Sequence, residues 1–173
     1  LEYCMTVIDE YPKSDQIYPL AARSARKLGQ AELEKQMLEN GKLELENKGK
    51  KISTISLAHE YFAFGEPLIA ADLLDPLVDK SLHSPLSEDL LRFLVHAGET
   101  ARVLELCRKL KATQSGFQIA AENEIDIYAR FGLLEKAIEI CKEYISQVPA
   151  NMLFRARLGI LLFESGNLEG AVA

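Results

Sequence analysis

Apolar and polar residues alternate along this chain with the period of an α-helix, in segments that are separated by glycines. Eight and four residues before each of these glycines, and five and nine residues after most of them, the side chains are mostly apolar. These offsets place the apolar residues on one face of a helix. The spacing between the glycines is 36, 33, 34 and 34 residues, which predicts a stacked helical repeat. The glycines are Gly29, Gly65, Gly98, Gly132 and Gly166.

The pattern predicts a pair of amphipathic helices in each repeat. The first helices are predicted near residues 15–28, 52–64, 86–97, 118–131 and 152–165. The second helices are predicted near residues 1–10, 30–40, 67–79, 99–111 and 134–147, with a last one that begins near residue 168. Two carboxylates, Glu34 and Glu124, interrupt positions that are apolar in the other repeats.

Two features predict interruptions of this helical pattern. Pro67 suits the first turn of its helix, but Pro76 is predicted to kink or end the same helix at Asp75, because proline removes a backbone hydrogen bond and clashes with the preceding turn. Residues 41–50 are charged and contain glycines at positions 41 and 49. We predict a loop or frayed helix there, and the greatest flexibility of the chain.

Several residues keep a common register with the glycines in a way that resembles the tetratricopeptide repeat (TPR) family. That family combines a Leu-Gly or Leu-Ala step, an aromatic residue, a turn glycine, a small residue and a proline. The matching residues are Leu158, Gly159, Leu162, Gly166 and Ala171 in the last repeat, Tyr128, Gly132, Ala137 and Pro149 in the one before, and Leu57, Ala58, Tyr61, Gly65 and Ala70 in an earlier one. The resemblance implies an all-α fold, a right-handed α-α superhelix (solenoid) of antiparallel helix pairs.

We expect a single TPR-like solenoid over residues 1–173. Its complete repeats are predicted at residues 15–50, 51–83, 84–117 and 118–151. Cys4 lies eight residues before Pro12, as Cys141 lies eight before Pro149, so residues 1–13 are interpreted as the second helix of a truncated repeat. Residues 152–173 are interpreted as another truncated repeat. The chain is therefore expected to be an interior piece of a longer protein.

Composition narrows the functional classes. The formal net charge of −6 argues against broad nucleic-acid binding, which relies on Lys and Arg. No apolar run approaches the roughly 20 residues that cross a bilayer.

The three cysteines, Cys4, Cys107 and Cys141, share one position of the second helix and lack the spacing of a metal site or disulfide framework. We interpret them as small buried hydrophobic residues, which favours a reducing compartment and a cytoplasmic location.

Nothing in the sequence predicts catalysis. The three histidines, His59, His83 and His96, share no spacing that implies a common site, and the glycines are separated by whole repeats rather than gathered in a phosphate-binding loop. We therefore predict a protein that is not an enzyme, with no catalytic residue, no cofactor and no metal site.

The TPR resemblance implies a concave groove that is lined by the exposed faces of the first helices and binds a protein or peptide. We expect acidic side chains of the partner near Arg23 and Lys27, and an apolar anchor near Phe62. Self-association through uncapped terminal repeats is a further expectation. The candidate binding residues are Arg23, Arg26, Lys27, His59, Phe62, Arg92, His96, Glu122, Asp126 and Arg130.

Two alternative functions fit the same repeat. The chain could be an oligomerisation or docking arm of a larger multidomain enzyme. It could also be an RNA-binding helical repeat of the pentatricopeptide kind. The net acidity and the 33- to 34-residue steps argue against RNA binding.

Overall fold

The protein is described by a computed structural model that covers residues 17–48, 51–78, 85–112 and 116–172. These residues are helical apart from short connections, and no strand occurs among them. The predicted helix at residues 1–10 and the positions of Cys4, Pro12 and His83 lie outside the described residues. The chain forms two compact units, Leu1–Gly98 and Glu99–Ala173.

The first unit contains two helix pairs and the first helix of a third pair. Its helices are α1 (Ile17–Lys27), α2 (Ala31–Lys48), α3 (Lys51–Phe64), α4 (Pro67–Val78) and α5 (Leu86–Ala97). The second unit contains α6 (Thr100–Lys111), α7 (Phe117–Arg130), α8 (Leu134–Gln147), α9 (Met152–Glu164) and α10 (Leu168–Val172). Apart from the end of α2, these bounds follow the helices predicted from the apolar pattern.

All five repeat glycines adopt positive φ angles, between 71° and 100°. In four of the five turns, the residue after the glycine donates its backbone N–H to the carbonyl four residues before the glycine, as Leu133 does to Tyr128 at 2.8 Å. Gln30, Glu66 and Asn167 make the equivalent bonds. This arrangement ends a helix on a left-handed residue, which glycine tolerates best because it has no Cβ. The prediction that these glycines are turn residues is confirmed.

The core of the first unit consists of the apolar positions that keep register with the glycines. In α1, α3 and α5, the side chains eight and four residues before each glycine are buried. In α2 and α4, the side chains five and nine residues after the glycine are buried as well, and Glu34 is the polar one among them. The buried apolar set comprises Ala21, Ala25, Leu38, Leu57, Tyr61, Ala70, Leu74, Leu90 and Leu94.

The core of the second unit is centred on Tyr144 of α8. Its ring stacks on Phe154 of α9, with 3.8 Å between ring centroids, and on Phe117 of α7 at 5.6 Å. The Tyr144 hydroxyl donates to Gln118 Oε1 and accepts from Asn151 Nδ2, both at 3.2 Å. Asn151 also caps α9, since its side-chain oxygen accepts hydrogen bonds from the first-turn backbone. One aromatic residue therefore joins three helices.

Residues 41–50 are predicted to be a loop or a frayed helix, and the loop is wrong for the part that the structure describes, because α2 continues through Lys48. Gly41 is not a turn residue: it lies inside the helix, where a Cβ atom would come within 2.9 Å of Tyr18 Cβ and 3.1 Å of Leu57 Cδ1. A glycine at this position allows α2 to approach α1 and α3 closely. Burial of Leu45 further along the helix extends the packed face.

Pro76 is predicted to kink or end its helix at Asp75, and the predicted end is wrong, because α4 contains Pro76 and continues to Val78. Proline in the last turn removes only one hydrogen bond, the one that residue 76 would donate to the carbonyl of Asp72. Leu74 and Val78, which flank Pro76, are both buried. Burial of these two side chains offsets the free-energy cost of the hydrogen bond that Pro76 lacks.

Candidate partner-binding site

The candidate binding residues lie on first helices, and most of them occupy three positions relative to the repeat glycine. Six residues before the glycine stand Arg23, His59, Arg92, Asp126 and Ile160. Three residues before it stand Arg26, Phe62, Val95, Ala129 and Phe163. Two residues before it stand Lys27, Ala63, His96, Arg130 and Glu164. These positions alternate with the buried core positions along each helix.

In the first unit, Arg23 and Arg26 of α1 bind a carboxylate of the same chain. Glu60 of α3 is only 3% exposed. Its Oε1 accepts hydrogen bonds from Arg23 Nε at 2.8 Å and from Arg23 Nη2 at 2.5 Å. Its Oε2 accepts a hydrogen bond from Arg26 Nη2. The two guanidinium groups that the sequence assigns to a partner are therefore held by Glu60.

Glu34 of α2 completes this cluster at a position where the other repeats carry Ala or Val. It is buried, its Oε1 lies 3.6 Å from Arg26 Nε, and that oxygen has no hydrogen-bond partner among the described residues. Burial raises the pKa of Glu34 and the charge of Glu60 raises it further, whereas Arg26 lowers it. The charges of the two arginines are thus balanced by two carboxylates.

The second group of candidate residues forms an aromatic cluster between α3 and α5. The Phe62 ring stacks on the buried Phe93 ring, with 4.5 Å between centroids, and meets the edge of the His96 ring at 5.0 Å. His59 meets Phe93 edge-on at 5.5 Å. The Arg92 guanidinium lies 5.3 Å from the centroids of both Phe62 and Phe93, within the range of a cation–π interaction. Phe62 is half-buried and therefore keeps part of its ring accessible.

Polar contacts hold the rim of this cluster. Asp89 of α5 lies 3.1 Å from His59 Nε2 and 2.6 Å from Arg92 Nη2. His96 donates from Nδ1 to the carbonyl of Arg92 at 2.8 Å, which orients its ring. The structure thus brings together four of the residues predicted from the sequence, on two neighbouring first helices. Asp89 and Phe93 were not predicted, because they lie at positions that the groove assignment did not include.

In the second unit, the candidate residues are more dispersed. Asp126 of α7 pairs with Arg157 of α9, and Glu122 accepts a hydrogen bond from Gln118 at 2.9 Å. Arg130 is exposed in the last turn of α7. Asp126 and Arg157 occupy the same repeat positions as His59 and Asp89, namely six residues before one glycine and nine before the next. In each unit, a side-chain pair at these two positions therefore bridges two neighbouring first helices. The acidic residue of the pair is Asp89 on the later helix in the first unit, and Asp126 on the earlier helix in the second unit.

Sequence reasoning missed an exposed apolar surface on α9. We call this surface the α9 stripe. Its large side chains are Met152, Leu153, Ile160 and Phe163, which are 72%, 64%, 58% and 66% exposed. At 100° per residue they span about 100° of the helix circumference, the width of a face that helices normally bury. The glycine register could have identified Ile160 and Phe163, since they occupy the positions of His59 and Phe62.

Glu124 of α7, the second exception in the apolar pattern, is buried and paired. Its Oε2 lies 2.5 Å from Lys111 Nζ of α6. Nearby Cys107 is fully buried, and its pKa is raised to about 12 by burial and by the charge of Glu124, with Lys111 acting in the opposite direction. Burial raises the pKa of Cys141 to about 11. Both thiols behave as the buried hydrophobic residues that the sequence predicts.

Within residues 17–48, 51–78, 85–112 and 116–172, no group of three or more His, Cys, Asp or Glu side chains is arranged to hold a metal ion. In the same part of the chain, no helix has the length and apolar character needed to cross a membrane.

Three solved structures share this fold with the chain. The crystal structure of MamA superimposes with a TM-score of 0.62 at 18% identity, covering 93% of this chain and 87% of MamA. TPR-like repeats of a putative kinesin light chain from Podospora anserina give 0.59 at 17% identity, covering 93% and 91%. YrrB, described as a TPR protein with an unusual peptide-binding site, gives 0.55 at 15% identity, covering 97% and 86%. No protein-family model and no curated protein sequence matches the chain.

The fold is therefore an all-α helical repeat of the TPR type, as the sequence predicts.

Proposed function

We propose that this protein is a non-enzymatic scaffold that binds a peptide or a partner protein along the exposed faces of its first helices. The aromatic cluster of α3 and α5 is the observation that carries the proposal. Phe62 packs against Phe93 and His96 and lies beneath the Arg92 guanidinium, which in turn pairs with Asp89. An aromatic centre with a polar rim is typical of the residues that contribute most to protein interfaces.

The basic residues of α1 are not equally available to a partner. They are Arg23, Arg26 and Lys27. An acidic side chain of a partner has to compete with Glu60 for the two guanidinium groups, because Glu60 already accepts their hydrogen bonds. Lys27 is exposed at the end of α1 and is the simpler contact for an acidic side chain. Reversing the charge of both Arg23 and Lys27 would also break the Arg23–Glu60 pair, so Lys27→Glu alone is the cleaner variant.

The proposal is tested by capturing partners from cell extract with the immobilised protein and quantifying them by mass spectrometry. Phe62→Ala should reduce capture of a specific partner by about tenfold, the size of a strong interface residue. Lys27→Glu should reduce it less, through the charge alone. Leu68→Ala, a change of an exposed apolar side chain on the second helix α4, is the control and should have no effect. Equal capture by wild type and Phe62→Ala would remove the aromatic cluster from the proposal.

Two narrower expectations accompany this proposal, on self-association and on the cellular environment. Sedimentation analysis measures self-association, which the sequence predicts through the terminal repeats. A reducing, cytoplasmic environment is consistent with the buried thiols of Cys107 and Cys141.

A further inference from the structure

The exposed face of the first helices in the first unit is basic, although the chain as a whole carries a formal net charge of −6. We call this surface the basic face. It comprises the residues six, three and two positions before the repeat glycine on α1, α3 and α5, and none of these residues is acidic. A local charge of opposite sign to that of the molecule favours a ligand of complementary charge. The basic residues are Arg23, Arg26, Lys27, His59, Arg92 and His96.

Part of this positive charge remains available to a ligand. Lys27 is exposed, and no carboxylate among the residues that the structure describes pairs with it. Arg23 uses Nε and Nη2 for Glu60, which leaves its Nη1 donors for a second carboxylate. The Arg92 side chain is 49% exposed and pairs with Asp89 through Nη2 alone. Carboxylates of a ligand therefore find hydrogen-bond donors on α1 and on α5.

Phe62 lies on the helix between these two groups of donors. The Arg23–Glu60 pair joins α3 to α1, and the stacking of Phe62 on Phe93 joins α3 to α5. Since packed helices are about 8–10 Å apart, the donors on α1 and α5 flank the Phe62 ring at roughly that distance on each side. The basic face therefore fits a ligand with one apolar group and a carboxylate about 8–10 Å away on either side.

This spacing selects the conformation of a peptide ligand. In a polyproline II helix, three residues make one turn and rise about 9 Å, so residues i and i+3 point in the same direction at the required distance. In a β-strand, residues i and i+3 point to opposite faces. An α-helix covers this distance in about seven residues but is about 10–12 Å wide, whereas the basic face extends only about 6 Å along each first helix. A polyproline II segment fits both dimensions.

We propose that the basic face binds an acidic segment of a partner protein in the polyproline II conformation. An aromatic residue of the segment packs against Phe62, and carboxylates three residues before and after it pair with Lys27 and Arg92. Aromatic pairs with Phe62 are favourable beyond the area they bury. This assignment rests on the proposed function, since it names the chemical class of partner that the same aromatic cluster binds.

The test uses synthetic peptides that are symmetric, so that they fit in either chain direction. The probe is Asp-Pro-Pro-Phe-Pro-Pro-Asp, amidated and labelled with fluorescein through a glycine linker, and proline holds it in the polyproline II conformation. It is titrated with the whole protein at low ionic strength and followed by fluorescence anisotropy. Because the protein is acidic, binding of an acidic peptide reports a local site rather than general attraction.

Two control peptides separate charge from spacing. Pro-Asp-Pro-Phe-Pro-Asp-Pro has the same composition and conformation, but its carboxylates point away from the face that carries phenylalanine. Asn-Pro-Pro-Phe-Pro-Pro-Asn keeps the spacing without the charge. We expect both controls to bind about tenfold more weakly than the probe, which corresponds to the loss of two exposed ion pairs.

Protein variants locate the binding surface. Phe62→Ala should weaken binding of the probe by about tenfold. Lys27→Gln and Arg92→Gln should each weaken it about threefold, the size of one exposed ion pair, and neither should weaken binding of the asparagine peptide. Lys35→Gln is the matched control, because Lys35 is exposed on the second helix α2, and it should change the affinity less than about 1.5-fold. Circular dichroism verifies that each variant is folded.

Four results would overturn the proposal. The first is a dissociation constant of the probe above about 1 mM. The second is equal binding of the probe and either control peptide. The third is an equal loss of affinity in Lys27→Gln and Lys35→Gln, which would indicate general electrostatic attraction. The fourth is tighter binding of an alanine-rich helical peptide with aspartates seven residues before and after phenylalanine, which would assign the basic face to a helix. Capture from extract that depends on Phe62 would stand after any of these results, so failure here is distinct from failure of the proposed function.

Discussion

Arg23 of α1 donates two hydrogen bonds to one carboxylate oxygen of Glu60 on α3, at 2.8 Å and 2.5 Å. Glu60 is buried, while the Arg23 side chain is 53% exposed. A buried carboxylate is stable only when it is paired and hydrogen-bonded, and Arg23 and Arg26 provide both. The contact therefore determines how two neighbouring first helices pack as well as the charge that they present to a partner.

Glu60→Gln should lower the free energy of unfolding by about 1–3 kcal/mol, because the two guanidinium groups lose their shared counter-charge. The value lies below that of a fully buried pair, since water screens the half-exposed Arg23. Glu39→Gln, at an exposed position of α2, is the matched control and should change stability by less than about 0.5 kcal/mol. Urea unfolding followed by circular dichroism measures both. A loss of the same size in the two variants would contradict the structural role of Glu60.

Glu34→Ala should raise the free energy of unfolding at about pH 7, by on the order of 1 kcal/mol, because it removes a buried oxygen that lacks a hydrogen bond. Ala70 and Ala137 occupy the same position in other repeats and are fully buried.

The Glu34→Ala gain should depend on pH in a defined direction. Burial raises the pKa of Glu34 in the folded protein, so the folded state binds this proton more tightly than the unfolded state. The cost of the carboxylate is therefore absent below the unfolded pKa of about 4.3 and grows as the pH rises to the folded pKa. Urea unfolding of both proteins at about pH 4 and about pH 7 should show a larger gain at the higher pH, because the cost of the charge is added there to the cost of the unbonded oxygen. Glu32→Ala, at an exposed position of the same helix, should show no such difference. Destabilisation by Glu34→Ala at both pH values would refute this explanation.

Lys111→Met and Glu124→Leu should have opposite effects, although they remove the two partners of one ion pair. Lys111→Met leaves the Glu124 carboxylate buried without a counter-charge and should cost about 2–3 kcal/mol. Glu124→Leu should be neutral or stabilising, because Lys111 can turn to water and leucine stands at the same position in three other repeats. These leucines are Leu57, Leu90 and Leu158. A double-mutant cycle from thermal unfolding gives the coupling energy, and similar losses from the two single variants would argue against the explanation.

Gly41→Ala and Gly159→Ala form a matched pair of substitutions inside helices. A Cβ at position 41 would come within 2.9 Å of Tyr18 Cβ, so overpacking should outweigh the gain in helix propensity and cost about 1–2 kcal/mol. At position 159, the nearest atom is the carbonyl oxygen of Ala171 at 3.5 Å, an ordinary contact. Gly159→Ala should therefore stabilise the protein, by up to about 1 kcal/mol. The two melting temperatures should move in opposite directions, and movement in the same direction would refute the close approach at Gly41.

The thiols of Cys107 and Cys141 should not react in the folded protein near neutral pH. Their pKa values of about 12 and about 11 leave almost no thiolate, and both side chains are buried. In a Cys4→Ser background, labelling with iodoacetamide should modify neither residue until denaturant is added, after which both should react. Mass spectrometry counts the modified thiols. Rapid labelling of either residue without denaturant would show that its helix opens locally.

The repeat, the turns and most of the core follow from the sequence alone. These features depend on local chemistry: glycine adopts positive φ, and a period of 3.6 residues places the apolar side chains on one face. The positions of Gly98 and Leu94 are sufficient to identify the end of α5 and one of the side chains that α5 buries in the core of the first unit. The same reasoning failed at Gly41, because a glycine that ends a helix and one that permits close packing look alike in sequence.

The contacts between side chains of different helices depend on how the helices pack and do not follow from the sequence pattern. Arg23 and Glu60 are 37 residues apart, and no periodic signal indicates that the guanidinium is satisfied within the chain rather than by a partner. Long charged side chains have many rotamers, so their pairing depends on the positions of neighbouring helices. The α9 stripe is a further example. Repeat position places Ile160 and Phe163 on a helix face, but exposure depends on whether another helix packs against that face.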